Sequence, residues 1–176
     1  ALCGVGLFFI EPAFDIEKTM GHKIPYVKKF LDLCRTELGS MYAYDLMITL
    51  PHDNDAKKPE NLQRLDRLAA TADGYKLTKR HNSITDIVKD MNCTLNGNNQ
   101  QFYRIPADAN MVAQLLLLYE NAGGTESEYW MDYDYKRFRL QIEMKDYNSN
   151  EAEKEMAALE REARRLFPGA HVTVVG

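Results

Sequence analysis

The chain has 176 residues, of which 45% are hydrophobic and 27% are charged, and its formal net charge is −4. This length suits one domain with a sizeable core, and the ordinary composition excludes a disordered chain. The negative net charge gives no general attraction for nucleic acid or anionic lipid, so composition alone implies no electrostatic partner.

Residues 1–41 predict a lead-in made of one apolar segment and one helix. Leu2–Ile10 is apolar but much shorter than the roughly 20 residues of a membrane helix, and it lacks the basic leader of a signal peptide. We therefore expect neither a membrane span nor a signal there. Ile24–Leu38 carries apolar residues at helical spacing and ends at Gly39, which predicts an amphipathic helix.

Residues 42–81 have the pattern of a strand, a helix and a second strand. Tyr42–Leu50 alternates like a half-buried strand. Pro59 suits the first turn of a helix, where the missing backbone N–H costs nothing, and an apolar stripe continues from it to Gly74. Tyr75–Arg80 predicts the second strand, which completes a first βαβ unit.

Residues 82–128 predict a helical insertion. Ser83 and Asp86 resemble a capping box at the start of one helix. Asp108 is a suitable cap for another helix, whose centre holds four consecutive leucines, Leu115–Leu118. Because a helix that is apolar on all sides is normally buried, we expect these leucines to complete the core. A hydrophobic docking face is the alternative.

Residues 129–176 repeat the strand, helix and strand pattern. Apolar and polar residues alternate from Arg137 to Met144. A helix follows, with Asn150 as its expected cap, and His171–Val175 predicts a closing strand.

Two such units predict an α+β fold of the ferredoxin-like split βαβ type, with helices on one face of a four-stranded sheet and a helical insertion between the units. The strands are predicted at 42–50, 75–81, 134–145 and 170–175. The helices that cover the sheet are predicted at 60–73 and 151–167.

No group of residues in the sequence has the spacing of a catalytic or metal site. The three cysteines lie far apart and the four histidines are isolated, so neither zinc nor redox chemistry is indicated. Asp146, Asn148 and Asn150 imitate the start of a calcium loop, but the required glycine and bidentate glutamate are absent. We expect no enzymatic activity, no metal and no cofactor.

An aromatic run before the third strand is the candidate contact site for a substrate or a neighbouring domain. Its members are Tyr129, Trp130, Tyr133 and Tyr135. Lys136, Arg137 and Arg139 follow, and on a split βαβ sheet such a mixture of rings and bases could stack single-stranded RNA. However, the glycine-spaced RNA-binding signature is missing, and Asp132 and Asp134 lie among the rings. Packing against a neighbouring domain is the better interpretation, and no nucleic acid partner is expected.

Several short sequence blocks occur in a fixed order between Pro25 and Gly176. The blocks are Pro59–Leu62 with its leucine helix, Ser83–Asn92, Tyr103–Pro106, Gln114–Glu120 and Asp132–Tyr135. Together they resemble an extracytoplasmic loop domain of the resistance-nodulation-division (RND) superfamily of transporters, in its predicted-exporter and lipid-exporter branch.

The resemblance implies a porter-like domain on the periplasmic side of the inner membrane, within a proton-driven exporter. Its partners would be the membrane helices and the second periplasmic loop of the same transporter, and its substrate would be hydrophobic or lipidic. The proton-relay carboxylates of this family lie in membrane helices, so none is assigned here. A free-standing ferredoxin-like module that binds a ligand or regulates another protein is the alternative, and it explains the lack of catalytic residues equally well.

Overall fold

The computed structural model describes residues 40, 42–123, 127–146 and 148–176. The strands in these ranges are β1 (Tyr42–Thr49), β2 (Thr78–Ser83), β3 (Arg137–Met144) and β4 (His171–Val175). The α-helices are α1 (Pro59–Asp73), α2 (Ile84–Leu95), α3 (Ala109–Gly123), α4 (Ser127–Trp130) and α5 (Ser149–Leu166). Two 3₁₀ turns lie at Asp55–Lys57 and Gln100–Phe102. The segments predicted at Leu2–Ile10 and Ile24–Leu38 lie outside the described residues.

The four strands form one antiparallel sheet in the order β2-β3-β1-β4. In the centre of the sheet, Leu46 of β1 lies opposite Leu140 of β3 on one side and Val174 of β4 on the other. The last strand of each βαβ unit therefore pairs with the first strand of the other unit, which is the split βαβ arrangement. The predicted ferredoxin-like α+β fold is confirmed.

One face of the sheet packs against α1 and α5 and forms the hydrophobic core. Alternate residues of β1 and β3 point to this face because successive side chains of a strand lie on opposite sides. The fully buried large side chains include Leu46, Ile48, Leu62, Leu65, Leu68, Phe138, Leu140, Ile142, Leu159 and Phe167. Each such burial contributes about 1.5–3 kcal/mol, so this face supplies most of the hydrophobic stabilisation.

Side-chain caps fix the starts of two helices. At α2, the Ser83 hydroxyl accepts a hydrogen bond from the Thr85 N–H, and the Asp86 carboxylate accepts one from the Ser83 N–H at 3.0 Å, so the predicted capping box is confirmed. At α5 the predicted cap was wrong. Asn148, rather than Asn150, accepts the Glu151 N–H at 3.2 Å, and α5 therefore begins at Ser149.

The second strand begins later in the chain than the sequence pattern predicts. The Tyr75 N–H donates to the Ala72 carbonyl, which extends the turn after α1. The Leu77 N–H donates to the buried Glu155 carboxylate at 3.1 Å. Because these donors bond outside the sheet, the strand occupies Thr78–Ser83 instead of 75–81.

The third strand is also shorter than predicted at its start. The Asp132 carboxylate accepts hydrogen bonds from the Lys136 N–H at 2.7 Å and the Arg137 N–H at 2.8 Å. These bonds hold 132–136 in a turn, so pairing with β1 begins at Arg137 and not at residue 134.

The prediction that all four central leucines of α3 are buried was wrong. Leu115 and Leu116 are buried, but Leu117 is 57% exposed and Leu118 is 48% exposed. Successive helical residues are rotated by about 100°, so four consecutive side chains surround most of the helix and cannot all face one core. The outer side of α3 is therefore apolar and open to contact.

Candidate functional site

The structure places the four predicted contact aromatics in different environments. Tyr129 and Trp130 lie in the short helix α4, with their rings edge to face and their centroids 4.8 Å apart. Tyr133 and Tyr135 lie in the turn that follows. None of the four lies in a strand, so they do not form one stacking platform on the sheet.

Tyr129 covers part of the sheet face that points away from the core. The Arg139 guanidinium lies 3.7 Å from the centre of its ring, and the Gln141 side-chain amide donates to its hydroxyl at 3.0 Å. Arg139 also pairs with Asp45 at 2.5 Å. This face is therefore polar and half-buried, in contrast to the core face.

Tyr135 is fixed by contacts within the chain. Its hydroxyl donates to the Glu120 carboxylate, and the Lys57 ammonium lies 3.4 Å from the centre of its ring. Its carbonyl accepts the Ala56 N–H at 2.8 Å. Burial, together with the bond to Glu120, raises the pKa of the Tyr135 hydroxyl to about 12. These contacts join the turn to α3 and to the first 3₁₀ turn.

Tyr133, in contrast, projects from the surface with 79% of its area exposed. A hydrogen bond with Glu128 raises the pKa of its hydroxyl. Of the four predicted aromatics, Tyr133 is the one whose ring is most available to another molecule.

A chain of ionic contacts joins α1, β2 and α2. His81 of β2 lies between two carboxylates, with Nδ1 at 2.8 Å from Asp73 and Nε2 at 3.2 Å from Asp86. Lys89 continues the chain, with its ammonium at 3.2 Å from Asp86 and 2.6 Å from Asp66. We call these five residues the charged cluster.

The charged cluster holds His81 as an imidazolium ion. The hydrogen bond to Asp86, helped by the bond to Asp73, outweighs burial and raises the pKa of His81 to about 9. Burial would raise the pKa of Asp86, but the facing His81 and Lys89 outweigh it and lower that pKa. With both ring nitrogens donating at neutral pH, His81 cannot act as a general base there. The charged cluster therefore links α1, β2 and α2 through ion pairs and hydrogen bonds.

His81 is isolated in the sequence, but the fold gives it two carboxylate partners. Its two partners belong to different helices, eight residues before it and five after it. No short motif has this spacing. The signal available in the sequence was only that Asp86 belongs to a capping box next to the strand.

A cleft of about 840 Å³ opens beside the charged cluster, between α1, α2, the second 3₁₀ turn and the start of α3. Its residues are Gln63, Asp66, Arg67, Lys89, Asn92, Asn96, Phe102, Tyr103, Arg104, Ile105, Pro106, Ala107, Asp108 and Met111. We call it the insertion cleft. The volume is in the range of small-molecule sites.

Asn92 fixes the loop wall of the insertion cleft. Its buried side-chain amide donates to the Phe102 carbonyl at 2.8 Å and to the Arg104 carbonyl at 2.9 Å. Both carbonyls lie outside the strands, at or just after the second 3₁₀ turn, so the Asn92 side chain ties this segment to α2. Asn92 was not predictable from the sequence as a site residue, because a polar residue on a helix usually faces solvent.

Trp130 lies beside a second cleft, of about 550 Å³, along the outer edge of β2. His81 and Tyr103 also line this cleft, and Tyr103 is shared with the insertion cleft. Trp130 is partly buried against the core, so only part of its indole faces this cleft.

Within the described ranges, no three His, Cys, Asp or Glu side chains are grouped so that they could hold a metal ion. None of the helices in those ranges has the length and apolar content needed to cross a membrane. No protein-family model matches the chain, and no curated protein is significantly similar to it.

Proposed function

We propose that this chain is an extracytoplasmic domain of a proton-driven RND-type membrane exporter. In that role it contributes to the passage of a hydrophobic or lipidic substrate and contacts neighbouring domains of the same transporter. It performs no chemical reaction of its own.

The observation that carries this proposal is the sheet order β2-β3-β1-β4 with helices on one face. The resemblance of the sequence blocks implies a βαβ sheet domain, and the strand order agrees with that implication. The order of the sequence blocks along the chain is the second support, because one fold can serve many functions.

Two exposed features suit contact with another domain. Leu117 and Leu118 give the outer side of α3 an apolar surface, and Tyr133 projects from the turn after α4. Exposed large apolar side chains are a common property of interaction surfaces. An aromatic ring with a hydroxyl at its edge supplies both apolar contact and a polar group.

A free-standing ligand-binding module is the second candidate. The insertion cleft favours it, because this chain supplies all of the residues that line a cleft of small-molecule size. The translated sequence of the parent gene distinguishes the exporter domain from the free-standing module. Apolar runs of about 20 residues on both sides of this segment are expected for the exporter domain. A complete short reading frame would instead support the free-standing module.

The functional experiment is an export assay of the full-length protein with Tyr133→Ala, and with Trp130→Phe as a second variant. We expect Tyr133→Ala to reduce export, because the exposed ring would lose its contact with substrate or a neighbouring domain, while protein abundance is unchanged. Leu95→Ala is a matched control for loss of an exposed apolar side chain, since Leu95 is 61% exposed at the end of α2. If every variant exports at the wild-type rate, the aromatic run does not contribute to export and that part of the proposal is wrong.

A further inference from the structure

Two arginines in the insertion cleft have no anionic partner among the described residues. Arg67 on α1 and Arg104 on the loop after the second 3₁₀ turn both line the cleft and are exposed. Across the parts of the chain that the structure describes, neither guanidinium has a hydrogen bond or an ion pair to a protein acceptor. Each carries up to five donors that remain free for a ligand.

The other charged groups of the cleft are already engaged. The Lys89 ammonium is paired with Asp66 and Asp86. The Asp108 carboxylate accepts the Asn110 N–H at 2.9 Å at the start of α3. That bond does not neutralise Asp108, but three basic side chains (Arg67, Lys89 and Arg104) face two acidic ones (Asp66 and Asp108) in the lining, so the formal charge of the cleft is +1.

Apolar side chains form the remaining wall of the cleft. Ile105 is buried, Phe102 and Pro106 are half-buried, and Met111 is exposed at the rim. The Tyr103 ring lies beside Lys89, with the ammonium 5.3 Å from its centre. The cleft therefore has an apolar wall and, beside it, two free guanidinium groups, so one ligand could contact both an apolar and a cationic surface.

We propose that the insertion cleft binds a small amphiphilic organic anion, with an aromatic or aliphatic body and one carboxylate or sulfonate head group. The head group pairs with Arg67 and Arg104, because a guanidinium binds such oxygens through two parallel N–H donors. The body of the ligand packs on Phe102, Ile105 and Met111. This inference concerns the cleft of the isolated chain and does not rest on the exporter assignment.

The test uses two fluorescent probes with the same ring system, 1-anilinonaphthalene-8-sulfonate and the uncharged N-phenyl-1-naphthylamine. Each is titrated into the 176-residue chain and into the variants Arg67→Gln and Arg104→Gln. Arg64→Gln is the matched control, because Arg64 lies on the same helix but donates to Asn61 at 3.0 Å outside the cleft.

We expect each cleft variant to weaken binding of the sulfonate probe about tenfold, the typical effect of losing one charge-assisted hydrogen bond. The affinity of both cleft variants for the uncharged probe is expected to stay within about twofold of the wild-type value. The affinity of Arg64→Gln for both probes is expected to stay within the same range. Dodecanoate is expected to displace the sulfonate probe, and dodecanol is not. Equal sulfonate affinity in all four proteins, or a parallel loss of both probes, would overturn the proposal.

Discussion

The sheet with its two covering helices and the helical insertion share one hydrophobic core, but they differ in what they leave exposed. In the sheet region, large apolar side chains such as Leu46 and Phe138 are fully buried between β-strands and helices. The insertion also buries apolar side chains in this core, Val112 and Leu115 among them, but it leaves Leu117 exposed and forms a cleft whose loop wall is fixed by polar contacts of Asn92. Most of the largest fully buried side chains therefore lie in the sheet region, whereas Leu117 and the loop wall of the insertion cleft belong to the insertion.

The largest effect is expected from truncating a core side chain of the sheet. Phe138 is fully buried and its ring packs near Phe167, with the centroids 6.0 Å apart. Phe138→Ala should lower the free energy of unfolding by about 3–5 kcal/mol, because it removes buried apolar surface and leaves a cavity. Urea unfolding followed by circular dichroism measures the change. A loss below about 1 kcal/mol would mean that the sheet core is not the main source of stability.

The charged cluster should make stability depend on pH in the alkaline range. The pKa of His81 rises from 6.5 in the unfolded chain to about 9 in the folded one. Its stabilisation is therefore complete below pH 6.5, falls as pH rises and is lost above about pH 9. From that shift we expect a contribution of about 3 kcal/mol at most.

The measurement is a series of urea unfolding curves between pH 6 and 9.5, for the wild type and for His81→Gln. The wild type should lose stability across this range, and the variant should show a much smaller slope because glutamine does not titrate. Equal slopes in the two proteins would show that His81 is not held as a cation by Asp73 and Asp86.

A smaller loss of stability is expected when the hydrogen bonds that hold the loop wall of the insertion cleft are removed. Asn92→Ala leaves the Arg104 carbonyl without its side-chain donor and removes one of the two donors to the Phe102 carbonyl, which should cost about 1–3 kcal/mol. Asn110→Ala, an exposed position on α3, is the control and should change stability by less than about 0.5 kcal/mol. Chemical unfolding compares the two. A similar small change for both would mean that the loop does not depend on Asn92.

The smallest effect is expected on the outer side of α3. Leu117→Ala removes an exposed side chain and places the best helix former at an exposed helical position, so stability should change by less than about 0.5 kcal/mol. Thermal unfolding of the isolated chain is sufficient to measure it. Destabilisation of several kcal/mol would indicate that Leu117 is covered in the folded chain.

The sheet was predictable because its signals are local. Alternation with a period of two identifies β1 and β3, and Pro59 and the Ser83 capping box identify the starts of helices α1 and α2. Strand ends were less predictable, because the Leu77 N–H is taken by Glu155, which lies 78 residues further along the chain.

The candidate sites were less predictable because their residues come together only in the folded chain. His81 gains Asp73 and Asp86 from two different helices, and the walls of the insertion cleft come from three helices and a loop. The aromatic run was visible in sequence, but its residues face different surroundings since a short helix and a turn separate them. Its proposed contact role remains a prediction.

The most direct test of the exporter proposal is the side of the membrane on which Tyr133 lies in the full-length protein. Tyr133→Cys, in a protein whose other cysteines are replaced by serine, provides one reactive thiol at a position that is 79% exposed. Spheroplasts are treated with a membrane-impermeant maleimide before and after lysis, and membranes are then separated from soluble protein. The proposal predicts full labelling before lysis, on a protein that sediments with the inner membrane. Labelling only after lysis, or recovery of the protein in the soluble fraction, would contradict it.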